Sequence, residues 1–339
     1  METGIVGASG YSGEVLVRLL AKHPRVRLTT LAARSLAGRS LAEAMPSMAD
    51  IPGDLSFIGA DPAALAASSV EVFFLALPHG VASEFALPLV EAGKVVIDLS
   101  ADFRLHDAAL YREAYGADHP APERLASTPY VIPELAAPGW EAASLIACPG
   151  CYPTSVQLPL VPLLRTGCIE SRDLVINSVS GVSGAGRKAT EFYSYCEREG
   201  SVTAYGIPRH RHAVEIEEQL GHAAKEAVTV QFVPHLVPMV RGIQTTIIAR
   251  AAVSAAEARE VLRQHYTDTP FVRLLPAGKF PDTRAVAHTN RCDLSLTHDP
   301  RTGHFILNSA IDNLLKGASG QAIQILNGKF GWPATDGLL

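Results

Sequence analysis

Apolar residues along the chain fall into short runs broken by polar, Gly-containing turns, and their period separates strands from helices. The stretch "TGIVGASGYSGEVLVRLLAKHP" opens with an apolar run, crosses a Gly-rich turn, and continues with Val15, Leu16, Leu19 and Leu20 at helical spacing. That pattern predicts a βα unit. Further strands are predicted at "VRLTTLAA", "VEVFFLALP" and "KVVIDLS", with a helix between about Gly80 and Gly93. Alternation of this kind over residues 1–150 predicts an α/β fold with a doubly wound parallel sheet of the Rossmann type.

Beyond Cys151 the texture changes. Longer runs, "DLVINSVSG", "AVTVQFVPHLVP" and "GIQTTIIARAAV", alternate with helical patterns such as "HAVEIEEQLGHAAK", which predicts an α+β domain with a largely antiparallel sheet. The segment "IDNLLKGASGQAIQILNGKFG" reads as a helix with a Gly-containing interruption that returns to the first domain. The expected division is therefore a dinucleotide domain of residues 1–150, completed by a C-terminal helix from about 312 to 339, and a second domain of residues 151–311. "ADHPAPERLASTP" is the most loop-like stretch.

Composition narrows the function classes. With 339 residues, a 47% hydrophobic and 19% charged make-up and a net charge of -5, the chain reads as a soluble protein of about two domains. No run of Lys and Arg offers a footprint for nucleic acid or an anionic membrane, so positive charge is expected to act locally, on a small anion. The charge-free stretch between Glu141 and Arg165 contains Pro149, Pro153, Pro159 and Pro162, which argues against a membrane-spanning helix. No basic and then apolar leader precedes the first strand, so a cytoplasmic location is expected. Five cysteines at irregular spacing do not make a disulfide framework.

Gly7, Gly10 and Gly13 form G-x-x-G-x-x-G between a predicted strand and helix, where backbone amides and a helix N-terminus receive a pyrophosphate; Ser9 and Ser12 add donors. A turn without a ligand is the plain alternative. At the end of the second strand, "LAARSLAGRS" offers Arg34, Ser35 and Arg39 and no acid, which favours the 2′-phosphate of NADP(H) over the 2′-hydroxyl of NAD; a solvated surface arginine is the alternative.

Cys151 lies in Cys-Tyr-Pro-Thr, with Pro153 suited to a first helical turn. The positive end of a helix favours thiolate over thiol, and a free cysteine with a pKa of about 8.5 is otherwise only slightly ionised near neutrality. A buried inert cysteine is the structural alternative. No second C-x-x-C or C-x-x-H accompanies "CPGC", so no metal site is expected, and a redox dithiol would sit earlier in its fold. "PRHRHAVEIEEQL" supplies His210 and His212 between Arg209 and Arg211, and Glu215, three residues after His212, shares its helix face and can orient the imidazole. Arg104, Arg209, Arg211 and Arg241 are candidate clamps for a phosphate or carboxylate.

Taken together, "GASGYSG", "FLALPHG", "VIDLSADFRL", "PGCYPTS", "SVSGVSGAGR", "HRHAVEI", "PHLVPMVRGI" and "DNLLKGASGQA" resemble, nearly end to end, the N-acetyl-γ-glutamyl-phosphate reductase family of NADP-dependent acyl-phosphate reductases in arginine biosynthesis. The resemblance implies Cys151 as nucleophile and His212 as acid/base. It implies cofactor contacts from Gly7 to Gly13, Tyr11 included, and from Arg34, Ser35, Ser183, Gly184 and Asn313. On the substrate side it implies Tyr205, Arg209 and Glu215, to which the reading of the residues adds Arg104 as a substrate clamp. The expected partners are a small acyl phosphate, inorganic phosphate and a second copy of the chain, as a dimer or tetramer. Three positions depart from the family pattern: Cys148 stands where Asn is common, and Val131 and His288 where Gly is expected. Cys148 therefore raises the question of a redox role beside Cys151. Reductases of aspartyl phosphate or of a carrier-bound aminoadipyl phosphate are the nearest rival functions, and a non-catalytic NADP-binding sensor is a remote one.

Overall fold

The first apolar run forms β1 (Glu2–Val6), followed by β2 (Arg27–Ala32), β3 (Phe57–Ile58), β4 (Val72–Leu75), β5 (Val95–Asp98) and β6 (Leu145–Ala147). The computed structural model describes residues 1–338, so Leu339, the last residue of the expected C-terminal helix, lies outside the described residues. Among these residues the strands form a parallel sheet in the order β3-β2-β1-β4-β5-β6. The chain runs outward from β1 to β3 and then crosses back to β4, so the topological switch lies between β1 and β4, where open α/β sheets bind ligands. All four residues of β4 are buried because helices cover both sheet faces. Leu16, Val17 and Leu20 of the helix Tyr11–Leu20 and Ile323, Ile325 and Leu326 of the helix Gly320–Lys329 share this core. Ser319 Oγ also donates to Ser12 O at 2.8 Å, tying the C-terminal segment to the glycine-loop helix.

Chain contacts divide the molecule into Met1–Pro149 with Ala318–Leu339, and Gly150–Gly317. The second unit is built on β7 (Leu174–Ser180), β8 (Thr203–Ala204), β9 (Val230–Leu236), β10 (Ile243–Arg250), β11 (Val272–Leu274), β12 (Cys292–Asp299) and β13 (His304–Ile311). Their order is β11-β12-β13-β10-β7-β9-β8, antiparallel except for the parallel pairs β7/β9 and β11/β12. The β7/β9 pair is parallel because the helix Arg211–Ala224 makes the crossover between them. That helix and the helix Ala255–Tyr266 flank a third, Cys151–Arg165, which packs on β10 and β13.

The Cys151 helix is continuous although Pro159 and Pro162 lie inside it. Each proline lacks the N–H that would bond the carbonyl four residues earlier. Ser309 Oγ takes over Ser155 O at 2.6 Å, and Tyr266 Oη takes over Leu158 O at 2.5 Å. Tertiary hydroxyls thus hold a helix that its own sequence would break.

Two expectations are corrected here. Residues 312–317, read as part of the C-terminal helix, belong to the second unit, because Asp312 Oδ1 accepts from Leu314 and Leu315 N–H groups and turns the chain out of β13. A π-helical turn, Leu315–Ser319, then leads into the helix Gly320–Lys329. The loop-like "ADHPAPERLASTP" contains a short helix, Pro122–Leu125, begun by Pro122. Among the described residues no helix is long and apolar enough to cross a membrane.

Candidate active site

Cys151 is the first residue of its helix, capped by Gly150, which offers no side chain to the first turn. The start of this helix is pinned from both sides. Thr154 N–H and Thr154 Oγ1 both donate to Gly150 O at 2.9 Å, and Gly150 N–H donates to Glu215 Oε1 at 2.8 Å. A Cβ on Gly317 would lie 2.8 Å from Cys151 Cβ and 3.2 Å from Cys151 Cα, so only glycine fits against the cysteine. Gly317 was not among the residues read from the sequence; its only trace there is the "KGASG" interruption.

A cavity of about 420 Å³ in the second unit is lined by Cys151 and Tyr152 from one helix start, and by Tyr205, Arg209, His210, Arg211 and His212 from the segment leading into another. His210 caps the helix Arg211–Ala224: its Nδ1 accepts from His212 N–H at 3.1 Å. Burial, and then the charge of Arg211, push the His210 imidazole down to about 4, so it is neutral near neutral pH. The Tyr152 and Tyr205 hydroxyls are 2.9 Å apart, and burial raises both phenols, Tyr205 to about 12. The Tyr152 ring meets the edges of His210 and His212 at centroid distances of 5.8 and 5.9 Å. His212 itself is buried in the first helical turn, beside these rings. Cys151 and His212, far apart in sequence, therefore share one wall.

Several expected contacts fall elsewhere. Glu215 is fully buried and takes the Gly150 N–H, so it holds the Cys151 helix start. Arg104 is buried in the first unit, with Nε on Cys148 O at 2.9 Å and Nη2 on Leu99 O at 2.7 Å; these bonds make it a brace for residue 148, not a free clamp. Ser183 Oγ accepts from Asn313 Nδ2 at 3.0 Å, and Asn313 Oδ1 accepts from Gly242 N–H at 2.8 Å. Of Ser183, Gly184 and Asn313, only Gly184 lines the cavity. Arg241 is engaged by Asp312 at 3.4 Å.

At the first unit's switch point, the glycine loop has the shape a dinucleotide requires. Gly7 has φ +86° and a Cβ there would meet Ala76 O at 2.3 Å, while a Cβ on Gly13 would meet Gly7 O at 2.4 Å. Those two glycines are needed by the fold. Gly10 is different: its nearest neighbour would be 3.7 Å away, so its missing side chain leaves open space in front of the helix N-terminus formed by Tyr11 and Ser12. Backbone donors and the helix dipole face that space, a cradle that fits a pyrophosphate. Arg34 and Ser35 are exposed at the end of β2. Arg34 is not as isolated from acids as its own segment suggests, since Glu84 approaches to 3.3 Å.

The three departures have local explanations. Cys148 is fully buried in the first unit's core with Sγ near Ala318 O at 3.7 Å, a small filler at the end of β6. Val131 is also buried there and has no left-handed backbone. His288 does adopt the left-handed region, with φ +61°, where glycine is favoured. Among the described residues no His, Cys, Asp and Glu cluster is arranged to hold a metal ion.

Residues 2–142 match the family described as semialdehyde dehydrogenase, NAD binding domain, and residues 151–313 match semialdehyde dehydrogenase, dimerisation domain. Proteins named N-acetyl-gamma-glutamyl-phosphate reductase from Akkermansia muciniphila and Desulforudis audaxviator are each 46% identical over 100% of this chain and 98% of their own length. One from Saccharophagus degradans is 42% identical over 98% of this chain and 96% of its own. Among solved structures, aspartate semialdehyde dehydrogenase II from Vibrio cholerae, complexed with ASA, has a TM-score of 0.72 at 17% identity, covering 96% of this chain and 97% of that one. Aspartate semialdehyde dehydrogenase with NADP from Candida albicans has a TM-score of 0.71 at 17% identity, covering 97% and 99%. At those identities the structures share the fold.

Proposed function

Because the chain belongs to the N-acetyl-γ-glutamyl-phosphate reductase family, we propose that it reduces N-acetyl-γ-glutamyl phosphate to N-acetyl-glutamate semialdehyde with NADPH, through a thioester on Cys151. The observation that carries this reading is the shared wall: a cysteine at a helix start and a histidine in another helix's first turn line one cavity beside two arginines. A carboxylate resists hydride attack, whereas an acyl phosphate yields to a thiolate. The Cys151 sulfur attacks the acyl carbon with His212 accepting the thiol proton; the C–S bond forms, the C–O bond to phosphate breaks, and inorganic phosphate leaves. NADPH, when bound at the Gly7 to Gly13 loop, supplies the hydride that reduces the thioester. His212 then returns its proton to sulfur as the C–S bond breaks and the aldehyde is released. Backbone N–H groups at the Cys151 helix start support the oxyanion of each tetrahedral intermediate.

The assay is the reverse reaction: phosphate-dependent oxidation of N-acetyl-glutamate semialdehyde, followed by the appearance of NADPH absorbance. Turnover with that aldehyde and not with aspartate semialdehyde or a carrier-bound aminoadipate semialdehyde supports the assignment; the opposite preference overturns it. Binding of NADP without any turnover would favour the sensor.

A homo-oligomer fits the second unit. The helices cover one face of its sheet, and on the other face Val175, Val179, Val233 and Ile248 remain half-exposed at alternate positions. Burying that face against a second copy gives a dimer, and pairs of dimers would give a tetramer; light scattering distinguishes them. A cytoplasmic location accords with NADPH-dependent biosynthesis.

A further inference from the structure

We propose that Arg211 anchors the substrate's α-carboxylate, the anionic group at the end of the molecule that does not react, and so sets the enzyme's preference for an amino-acid-derived aldehyde. This rests on the function proposed above.

Three observations lead to Arg211. It lines the cavity beside His210 and His212. It occupies the first position of the helix Arg211–Ala224, whose first turn contains no acid. A cation at the positive end of a helix dipole is unfavourable, and local rules broken in this way mark functional positions. Finally, Arg209, the other arginine that lines the cavity, already has an interaction within the chain. Glu215, the carboxylate on the same helix, is buried and accepts from Gly150 N–H, while Arg241 is paired with Asp312. Among the described residues no carboxylate pairs with Arg211, which leaves its guanidinium fork for an external anion.

Substrate chemistry then divides the work. The acyl phosphate must meet the Cys151 sulfur, so the carboxylate lies at the other end of a short chain, within reach of Arg211, which lines the same cavity. His210, kept neutral, adds no further positive charge between the two arginines.

The experiment compares the parent with Arg211→Met and Arg211→Lys in the phosphate-dependent oxidation of two aldehydes. One is N-acetyl-glutamate semialdehyde; the other is 4-acetamidobutanal, the same skeleton with hydrogen in place of the carboxylate. The parent should prefer the carboxylated aldehyde by about 10- to 100-fold in kcat/KM, as expected for hydrogen bonds to a charged group. Arg211→Met should lose that preference by raising KM for the carboxylated aldehyde only, with KM for phosphate and for NADP unchanged, and Arg211→Lys should recover part of it. A raised phosphate KM with the aldehyde preference intact would assign Arg211 to the phosphate and overturn the proposal, as would unchanged discrimination in a folded variant. A parent inactive on both aldehydes would instead refute the function itself.

Discussion

Gly317→Ala should disable the enzyme without removing any group that takes part in the chemistry. The new Cβ would lie 2.8 Å from Cys151 Cβ, about 0.7 Å inside ordinary carbon contact, with Ile311 Cδ1 behind it at 3.3 Å. Retreat is blocked on the cysteine side, because Gly150 is held by Thr154 and by the buried Glu215. Overpacking of this kind destabilises by about 1 to 3 kcal/mol, offset by about 0.4 to 1 kcal/mol because alanine restricts the unfolded chain. The net cost of about 1 to 2 kcal/mol leaves most of the protein folded. Activity should fall much further, since a nucleophile displaced by about 1 Å loses about 10²-fold. Turnover of N-acetyl-glutamate semialdehyde, the rate of Cys151 alkylation by iodoacetamide and thermal unfolding together make the measurement. Parent-like turnover and stability in Gly317→Ala would refute the close contact on which the reasoning depends.

Other variants separate the two units' roles. Cys151→Ser should abolish turnover while NADP affinity stays within a few fold by fluorescence titration; substantial residual turnover would remove Cys151 as nucleophile. His212→Asn should lower kcat by about 10² to 10⁴ and flatten its pH profile, whereas an unchanged profile would assign the proton to another group. Arg34→Ala should weaken NADPH by about 10-fold and leave NADH nearly unaffected, and Glu84→Gln should modestly tighten NADPH by freeing Arg34; equal NADPH and NADH affinities in the parent would show that Arg34 only faces solvent.

What could be read from the sequence was local. The βα alternation is encoded in short windows, so the parallel sheet and the glycine loop followed from apolar period and turn residues, and the thiol at a helix start followed from Cys-Tyr-Pro-Thr. What escaped was set by partners distant along the chain. Glu84, which meets Arg34, lies on another βα unit. Arg104 and Glu215 looked like charges waiting for a ligand until folding brought them to Cys148 O and Gly150 N–H. The continuous Cys151 helix is the sharpest case: Pro159 and Pro162 argue against it locally, and only Ser309 and Tyr266, more than a hundred residues away, supply the missing donors. Gly317 left no trace beyond the "KGASG" interruption, because a requirement for no side chain is visible only once the facing atom is known.

The buried acid at the end of β5 yields a prediction about stability. Asp98 is fully buried, and desolvation first, then the charge of Asp102, push its carboxyl up to about 7; hydrogen bonds from Ser100 and the charge of Arg104 only partly offset this. An unfolded aspartate titrates near about 3.9. The folded chain therefore keeps a proton that the unfolded chain releases, so this contribution to stability is complete below about pH 4 and is lost as pH rises to about 7. At about 1.4 kcal/mol per pH unit across about three units, the ceiling is about 4 kcal/mol. Asp98→Asn mimics the protonated acid and can keep both contacts with Ser100, accepting from its N–H and donating to its hydroxyl. Chemical denaturation of parent and variant at about pH 5 and about pH 8 isolates the effect of Asp98 and the Asp102 charge coupled to it, because groups that do not interact with Asp98 cancel in the difference between the two proteins. The variant should gain on the parent as pH rises, most of it before about pH 7. A difference that stays constant with pH would mean that Asp98 is ionised throughout, with Arg104 outweighing burial and Asp102.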